Sequence, residues 1–265
     1  MIYLFSETGQ AALRSFVDRS TLFAFDLDGT LAPIVADPAR IEIPKETKEK
    51  LIDLNRMATV AIISGRSRTD ARNHLGFTPR FLIGNHGAEG LPGREKQEEE
   101  FRGQCIKWQK QLERFLPLAS ESGILIENKG MTLSVHYRRT SNQEAAVMNI
   151  LEVIGQLKPF PKRIPGKCVE NLLPAEAPRK GEALLQIMRH TGCPKALFVG
   201  DDATDEDVFR LDHDSILGIR VGCEGSSLAA YCLKDQKEMS DLLGRMVSLK
   251  NLYPGGIPFE PYGPP

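Results

Sequence analysis

The sequence lacks any hydrophobic run near the ~18 residues that a membrane-spanning helix needs. Its longest apolar stretches, around Leu22–Phe25 and Val60–Ile63, are the size of strands. It also lacks an excess of either charge. Against 34 Lys plus Arg stand 35 Asp plus Glu, a net charge of −1, which argues against nucleic-acid binding through bulk charge. The first residues, MIYLFSETGQAALRSF, hold no basic segment followed by a long apolar stretch and do not read as a signal peptide. Cysteine is sparse: Cys105, Cys168, Cys193, Cys223 and Cys232 are widely spaced, odd in number and form no CxxC pair. That pattern predicts reduced thiols in a cytoplasmic protein, not a disulfide frame or a zinc site. Trp108 is the single tryptophan and is expected in a core. What remains is ordinary for a folded chain of 265 residues, 41% apolar and 26% charged, which excludes disorder as the main state.

Short apolar runs alternate with helical stretches at both ends of the chain. The first strand, Thr21–Phe25, ends in Asp26-Leu27-Asp28-Gly29-Thr30, and a helix is expected over 44–56. A second run, Thr59–Ile63, ends in Ser64-Gly65-Arg66, and a third, Arg80–Ile83, ends in Gly84-Asn85-His86-Gly87, with a helix over 68–75 between them. From Lys180 the alternation resumes: a helix, the strand Ala196–Val199, a helix after Thr204, strands near 215–221 and 230–233, and a closing helix near 239–247. Strands and helices in this order predict βαβ units and a parallel sheet covered on both faces. The middle differs. A charged stretch at 94–100, a helix at 101–116, two strands around Asn128-Lys129-Gly130, a helix at 142–156 and two further strands predict an α+β insert with an antiparallel sheet. The fold class is therefore α/β with an inserted α+β domain, residues 1–90 and 178–265 forming one domain and 91–177 the other. The Pro- and Gly-rich tail from Tyr253 is expected to be disordered.

Four segments carry chemistry. Asp26 and Asp28 sit two apart just past a buried strand, so alternation aims both carboxylates the same way, into the crevice where α/β sheets bind ligands. One acid can attack while the other manages the proton; alone, the pentapeptide also fits an Asx turn with an N-cap. In Gly200-Asp201-Asp202-Ala203-Thr204-Asp205-Glu206-Asp207, five acids fall within seven residues. Clustered hard oxygens attract Mg²⁺. Asp201 and Asp202 precede the helix and read as ligands, whereas Asp205, Glu206 and Asp207 fit an acidic helix start favoured by the dipole. Ser64 can hydrogen-bond an oxyanion at a helix start, though Ser is also an ordinary N-cap. Lys180 opens a helix against the dipole, so it needs a bound anion or neighbouring carboxylates.

In this order (acid pair, Ser, Lys, acid cluster) the segments resemble the haloacid dehalogenase superfamily of phosphohydrolases, a Rossmann-like core whose inserted α/β cap selects substrate. The resemblance covers nearly the whole chain. Within it, FDLDGTLAPIVADP at 25–38, ISGR at 63–66, GNHGAE at 84–89, IENKGMTLSVHYR at 126–138 and VGDDATDEDVF at 199–209 resemble the trehalose-6-phosphate phosphatase family. The resemblance implies Asp26 as nucleophile and Asp28 as general acid/base. It implies Ser64, Gly65 and Lys180 at the phosphate, and Mg²⁺ held by Asp26, Asp28 (through its carbonyl), Asp201 and Asp202. The sugar would meet Glu127, Lys129, His136, Arg138 and Asn171 of the cap, with Arg66, His86 and Glu89 at the site mouth; His136 and His86 also fit a wet strand face and a turn. One departure stands out. The family's cap carries Gly-Lys, a sugar-binding Glu four residues on, then Pro. In Gly166-Lys167-Cys168-Val169-Glu170-Asn171-Leu172-Leu173-Pro174 the Glu position holds Asn171. Glu170 is one residue off, which on a strand means the opposite face.

The expected function is a Mg²⁺-dependent phosphoric monoester hydrolase acting on trehalose 6-phosphate through an aspartyl-phosphate. Its partner is a small-molecule sugar phosphate, with no nucleic acid and no membrane, in the cytoplasm. A monomer is compatible with the sequence. Two alternatives remain: a sibling phosphatase of sucrose phosphate or of a glucosyl- or mannosyl-glycerate phosphate, and a non-enzymatic phosphate sensor on a phosphatase core.

Overall fold

A computed structural model of the chain describes residues 1–116, 122–211 and 214–253. The expected disordered tail beyond Tyr253 lies outside the described residues. The chain divides into two compact units: Gly93–Ala177 forms one, and the residues on either side of it form the other.

The first unit begins with β1 (Ile2–Tyr3), α1 (Glu7–Phe16), β2 (Thr21–Phe25), α2 (Lys45–Met57), β3 (Val60–Ile63), α3 (Arg68–Leu75) and β4 (Phe81–Ile83). The second unit comprises α4 (Glu95–Phe115), β5 (Leu125–Asn128), β6 (Leu133–His136), α5 (Gln143–Gln156), β7 (Lys162–Gly166) and β8 (Val169–Leu173). The first then resumes with α6 (Lys180–Thr191), β9 (Lys195–Gly200), α7 (Glu206–Phe209), β10 (Ile216–Val221), β11 (Tyr231–Leu233) and α8 (Met239–Asn251).

The first unit is a seven-stranded parallel sheet of order β1-β11-β10-β9-β2-β3-β4. Every residue of β2 is buried, as befits a strand covered on both faces. Alternation splits its side chains. Phe23 and Phe25 join Leu13, Leu51, Leu54, Leu242 and Met246 on one face, and Leu22 and Ala24 join Leu184, Ile187 and Phe198 on the other. From β2 the chain builds towards β3 and β4 on one side, and later β9, β10 and β11 fill the other. The order of the sheet therefore reverses at β2, and ligand crevices form beyond the carboxyl ends of strands at such a point. Phe25 pairs with both Ile62 and Val199, so β2, β3 and β9 run out at nearly the same level. That alignment brings Asp26, Ser64 and Asp201 to one end of the sheet.

The second unit has an antiparallel sheet of order β5-β6-β8-β7. Its core joins Trp108, Cys105 and Leu112 of α4 and Ile150, Val153 and Ile154 of α5 to Leu133, Val135 and Leu172 of the sheet. Trp108 is fully buried, its Nε1 donating to the Pro159 carbonyl at 2.6 Å.

Three expectations change. α1 and β1 have no counterpart in the sequence reading, because a two-residue strand shows no periodicity; pairing with β11 creates it, and the Ser6 hydroxyl caps α1 by accepting from Gly9 N. α4 starts at Glu95 instead of 101: the charged stretch is itself helical, with Glu95 and Glu98 in a first turn that favours acids. The cysteines are not all reduced. Cys223 and Cys232 form a disulfide, their Cα atoms 5.3 Å apart. β10 and β11 are neighbours in register Val221↔Leu233, so strand pairing, invisible in the nine-residue spacing, brings the two sulfurs together. The cytoplasmic expectation thereby loses the support it drew from reduced thiols. Among the described residues, no helix is long and apolar enough to cross a membrane.

Candidate active site

β2 ends at Phe25 and the next residue, Asp26, is 4% exposed, its N–H held by the Val199 carbonyl at 2.9 Å. The turn that follows needs Gly29: its φ is +86°, and a Cβ there would lie 2.1 Å from Asp201 Oδ2. The Thr30 hydroxyl donates to Asp201 Oδ1 at 3.2 Å. Asp26, Asp201 and Asp205 each turn an oxygen into a space where all three lie within 4.8 Å of one another. Lys180, the first residue of α6, is 2% exposed, and its Nζ donates to Asp26 Oδ1 and Asp205 Oδ1 at 2.8 Å each. The carboxylates that Lys180 needs, opening a helix against its dipole, are therefore these two.

Asp205 was expected as a helix-start acid. It does stand at the start of α7, and it is also fully buried and organises the turn after β9, its Oδ2 accepting from the N–H of Asp201 and Asp202 at 2.9 and 3.1 Å. Asp202 was expected as a metal ligand. Its Oδ1 is taken by the Thr204 N–H and hydroxyl, both at 2.7 Å, and Asp205 stands in the acidic trio in its place. The spacing did not single out Asp205, because a four-residue turn, not strand alternation, decides which acid joins the trio.

Burial governs the electrostatics. It pushes Asp26 well above the usual carboxylate range despite the opposing charge of Lys180, and it raises Asp205 in the same way. Burial, then the charges of Asp205 and Asp202, lift Asp201 to about 7. Burial alone would lower Lys180; Asp205 and Asp26 hold it above its ordinary value. For Asp202, burial is outweighed by Lys180 and the Thr204 hydrogen bonds, and its pKa falls. Three crowded carboxyl oxygens with one cation, two of them reluctant to ionise and the third half-protonated near neutrality, are a hard-oxygen set that a divalent cation such as Mg²⁺ would complete. The observed donors fit that ion.

Ser64 follows β3 and is buried, its Oγ accepting from Arg66 N at 3.2 Å. The segment 84–89 braces this turn. Asn85 N and His86 N donate to the Arg66 and Ser64 carbonyls at 2.7 and 2.9 Å. Both residues take positive φ, and the His86 ring lies where a Cβ on Gly65 would meet it at 2.5 Å. Glu89 Oε2 accepts from Arg68 N and Asn85 Nδ2 at 2.7 and 2.8 Å. Glu89 thereby braces this loop through Oε2. Arg66 is likewise engaged: Nε and Nη2 bind the two oxygens of Asp28 at 2.7 and 2.6 Å, and Nη1 binds Asp70 at 2.7 Å.

In the second unit, Glu127 pairs across the ladder with Ser134, and Ser134 with Asn171. Alternation places Glu127, Ser134, His136 and Asn171 on one face of the sheet, and Leu133, Val135, Leu172 and Glu170 on the face bearing the helices. Glu127 Oε2 meets His136 Nε2 at 2.8 Å and lies 3.9 Å from Lys129 Nζ. Asn171 accepts from the Ser134 hydroxyl at 2.7 Å and donates to the Ile164 carbonyl at 3.2 Å. Glu170, 4% exposed, lies 3.3 Å from Arg163 Nε. Arg138 is exposed beyond β6, and its Nη2 donates to the Lys167 carbonyl at 3.2 Å.

A family model described as trehalose-phosphatase matches residues 24–230. A probable trehalose-phosphate phosphatase 4 of Oryza sativa subsp. japonica is 30% identical over 247 residues, 85% of this chain and 65% of the relative. The trehalose 6-phosphate phosphatase RA3 of Zea mays is 29% identical over 85% of this chain and 69% of its own length. The chain thus spans about two thirds of these curated relatives. Among solved structures, an Aspergillus fumigatus trehalose-6-phosphate phosphatase is 25% identical with a TM-score of 0.58, covering 88% of this chain and 93% of that one. A sucrose-phosphatase from Synechocystis, 18% identical with a TM-score of 0.56, covers 87% and 98% and shares the fold. With the acid pair, the acidic trio and the buried lysine in place at the carboxyl ends of β2 and β9, and with the match running from Ala24 to Ala230, the chain belongs to the trehalose-phosphatase family of haloacid-dehalogenase-type phosphatases.

Proposed function

We propose that this protein hydrolyses trehalose 6-phosphate to trehalose and phosphate through an aspartyl-phosphate on Asp26. The observation that carries this reading is the clustered trio Asp26, Asp201 and Asp205, with buried Lys180 bonded to Asp26 and Asp205, at the carboxyl end of the sheet. Asp26 attacks phosphorus in line and expels the sugar alkoxide. Asp28, two residues on, gives that oxygen its proton, then takes one from the water that cleaves the acyl phosphate. Lys180 fixes the orientation of Asp26 and lends positive charge to the transferring phosphoryl group. Ser64 and Gly65 offer hydrogen bonds to the phosphate oxygens. Asp26, Asp201 and Asp205 would hold Mg²⁺, with the Asp28 carbonyl; when bound, the ion neutralises charge shared by phosphate and nucleophile.

Recognition of the sugar is assigned to Glu127, Lys129, His136 and Asn171, which share a sheet face or its adjoining turn. Asn171 favours a second reading, a sibling sugar phosphate as substrate. It is neutral where the resembling family carries a charged double acceptor, and hydrogen bonds to charged groups are worth ~1.5–3 kcal/mol against ~0.5–1.5 for neutral ones. The test is phosphate release from trehalose 6-phosphate, sucrose 6-phosphate, glucosylglycerate phosphate and p-nitrophenyl phosphate, with Mg²⁺ and after EDTA. Trehalose 6-phosphate should give the highest kcat/KM, and every activity should require the metal. Preference for another sugar phosphate would move the assignment to the sibling, and full turnover after chelation would remove the metal from the reading.

A further inference from the structure

Arg66 carries five N–H donors, and four of them have oxygen acceptors while the fifth faces His74. Nε reaches Asp28 Oδ2 at 2.7 Å; Nη2 reaches Asp28 Oδ1 at 2.6 Å and the Pro38 carbonyl at 2.8 Å. Nη1 reaches Asp70 Oδ2 at 2.7 Å and His74 Nε2 at 3.3 Å. The His74 Nδ1 lies 3.2 Å from the Ile41 carbonyl, and its Nε2, facing Arg66, also lies 3.5 Å from Asp70 Oδ1. The Arg66 side chain is 11% exposed. A guanidinium so fully engaged has no donor left for a sugar. What it does have is a two-pronged grip on Asp28, anchored from behind on the first turn of α3 and on the loop after β2.

We propose that Arg66 is a positioning residue: by forking both oxygens of Asp28 while braced on Asp70, His74 and the Pro38 carbonyl, it sets the direction in which Asp28 exchanges its proton. The proposal rests on the reading of Asp28 as general acid/base. Asp28 needs such a support because it lies on a turn, not in the sheet, and its side chain is 37% exposed. The fork occupies one lone pair on each oxygen and leaves the others for the leaving group and the water. Lys cannot replace Arg here, since a point charge on a flexible stem does not reproduce the planar fork.

The test is a double-mutant cycle on kcat and KM, with saturating Mg²⁺, using p-nitrophenyl phosphate and trehalose 6-phosphate. Asp28→Asn, Arg66→Ala, Arg66→Lys and the Arg66→Ala/Asp28→Asn pair are compared. Arg66→Ala should lower kcat by ~10²-fold, the scale of a misplaced catalytic group, with KM little changed. Arg66→Lys should recover only a fraction of that loss. In the Asp28→Asn background, Arg66→Ala should cost less than ~3-fold, because a residue acting through another has nothing left to position. Added guanidinium should rescue Arg66→Ala and not Asp28→Asn, which separates positioning from loss of fold. Additive losses would overturn the proposal. So would a rise in KM confined to trehalose 6-phosphate, the signature of a sugar contact. Full turnover in Asp28→Asn would instead remove the acid/base reading itself, a result distinct from either.

Discussion

Replacing Lys180 with Met keeps the length of the side chain and removes the one cation shared by Asp26 and Asp205. Both carboxyls are buried, at 4% and 0% exposure, and the Lys180 Nζ lies 2.8 Å from each. Breaking a buried ion pair by deleting one partner costs about 3–5 kcal/mol. For a chain of this size ~2–4 °C of melting temperature accompanies each kcal/mol, so Lys180→Met should melt about 6–20 °C lower in EDTA. The pH dependence discriminates this cause from poor packing. Burial already raises Asp26 and Asp205, and Lys180 is the largest influence opposing it. Without Lys180 both rise further. A carboxyl whose folded pKa exceeds its unfolded value binds more protons when folded, so its contribution is present at low pH and lost as pH rises through the folded pKa. The deficit of Lys180→Met relative to the native protein should therefore shrink as pH is lowered from about 7.5 to about 5.5. Thermal melts followed by circular dichroism across that range make the measurement. A deficit that is constant with pH, or that widens on acidification, would refute the argument and reduce Lys180 to a packing residue.

Asp201, at about 7 without metal, must shed its proton to bind a cation, so Mg²⁺ affinity should weaken ~10-fold per pH unit below neutrality; calorimetric titration at two pH values would test this, and equal affinities would contradict it. For the same reason the metal-free protein should lose stability as pH rises from about 4 to about 7, and Mg²⁺ should offset that loss. Asp26→Asn should abolish turnover, because the amide fits the same space but cannot attack, and appreciable activity would sink the covalent route. Glu127→Ala and Lys129→Ala should lower kcat/KM for trehalose 6-phosphate far more than for p-nitrophenyl phosphate; equal losses on both would show that they support folding. Asn171→Glu should raise kcat/KM for trehalose 6-phosphate, whereas Glu170→Ala, on the helix-bearing face beside Arg163, should affect stability more than substrate choice.

The α/β alternation, the antiparallel insert and the acid pair were legible in the chain because local periodicity and strand-end position depend on neighbours in sequence. The parallel core follows from apolar strands such as Thr21–Phe25, and the location of Asp26 and Ser64 at their ends follows from it. The opposed faces of Glu170 and Asn171 were legible too, since a strand inverts direction at each residue. Tertiary structure decided what sequence distance cannot encode. The turn geometry after Gly200 selected Asp205 over Asp202 for the acidic trio, and the neighbouring of β10 and β11 joined Cys223 to Cys232. The fold also spent Arg66 and Glu89 on Asp28 and on the Arg68 N–H, partners 38 and 21 residues away in the chain. A side chain's type states which bonds it can make, but only the packed structure, by bringing remote donors and acceptors within about 3 Å, decides which of them it does make.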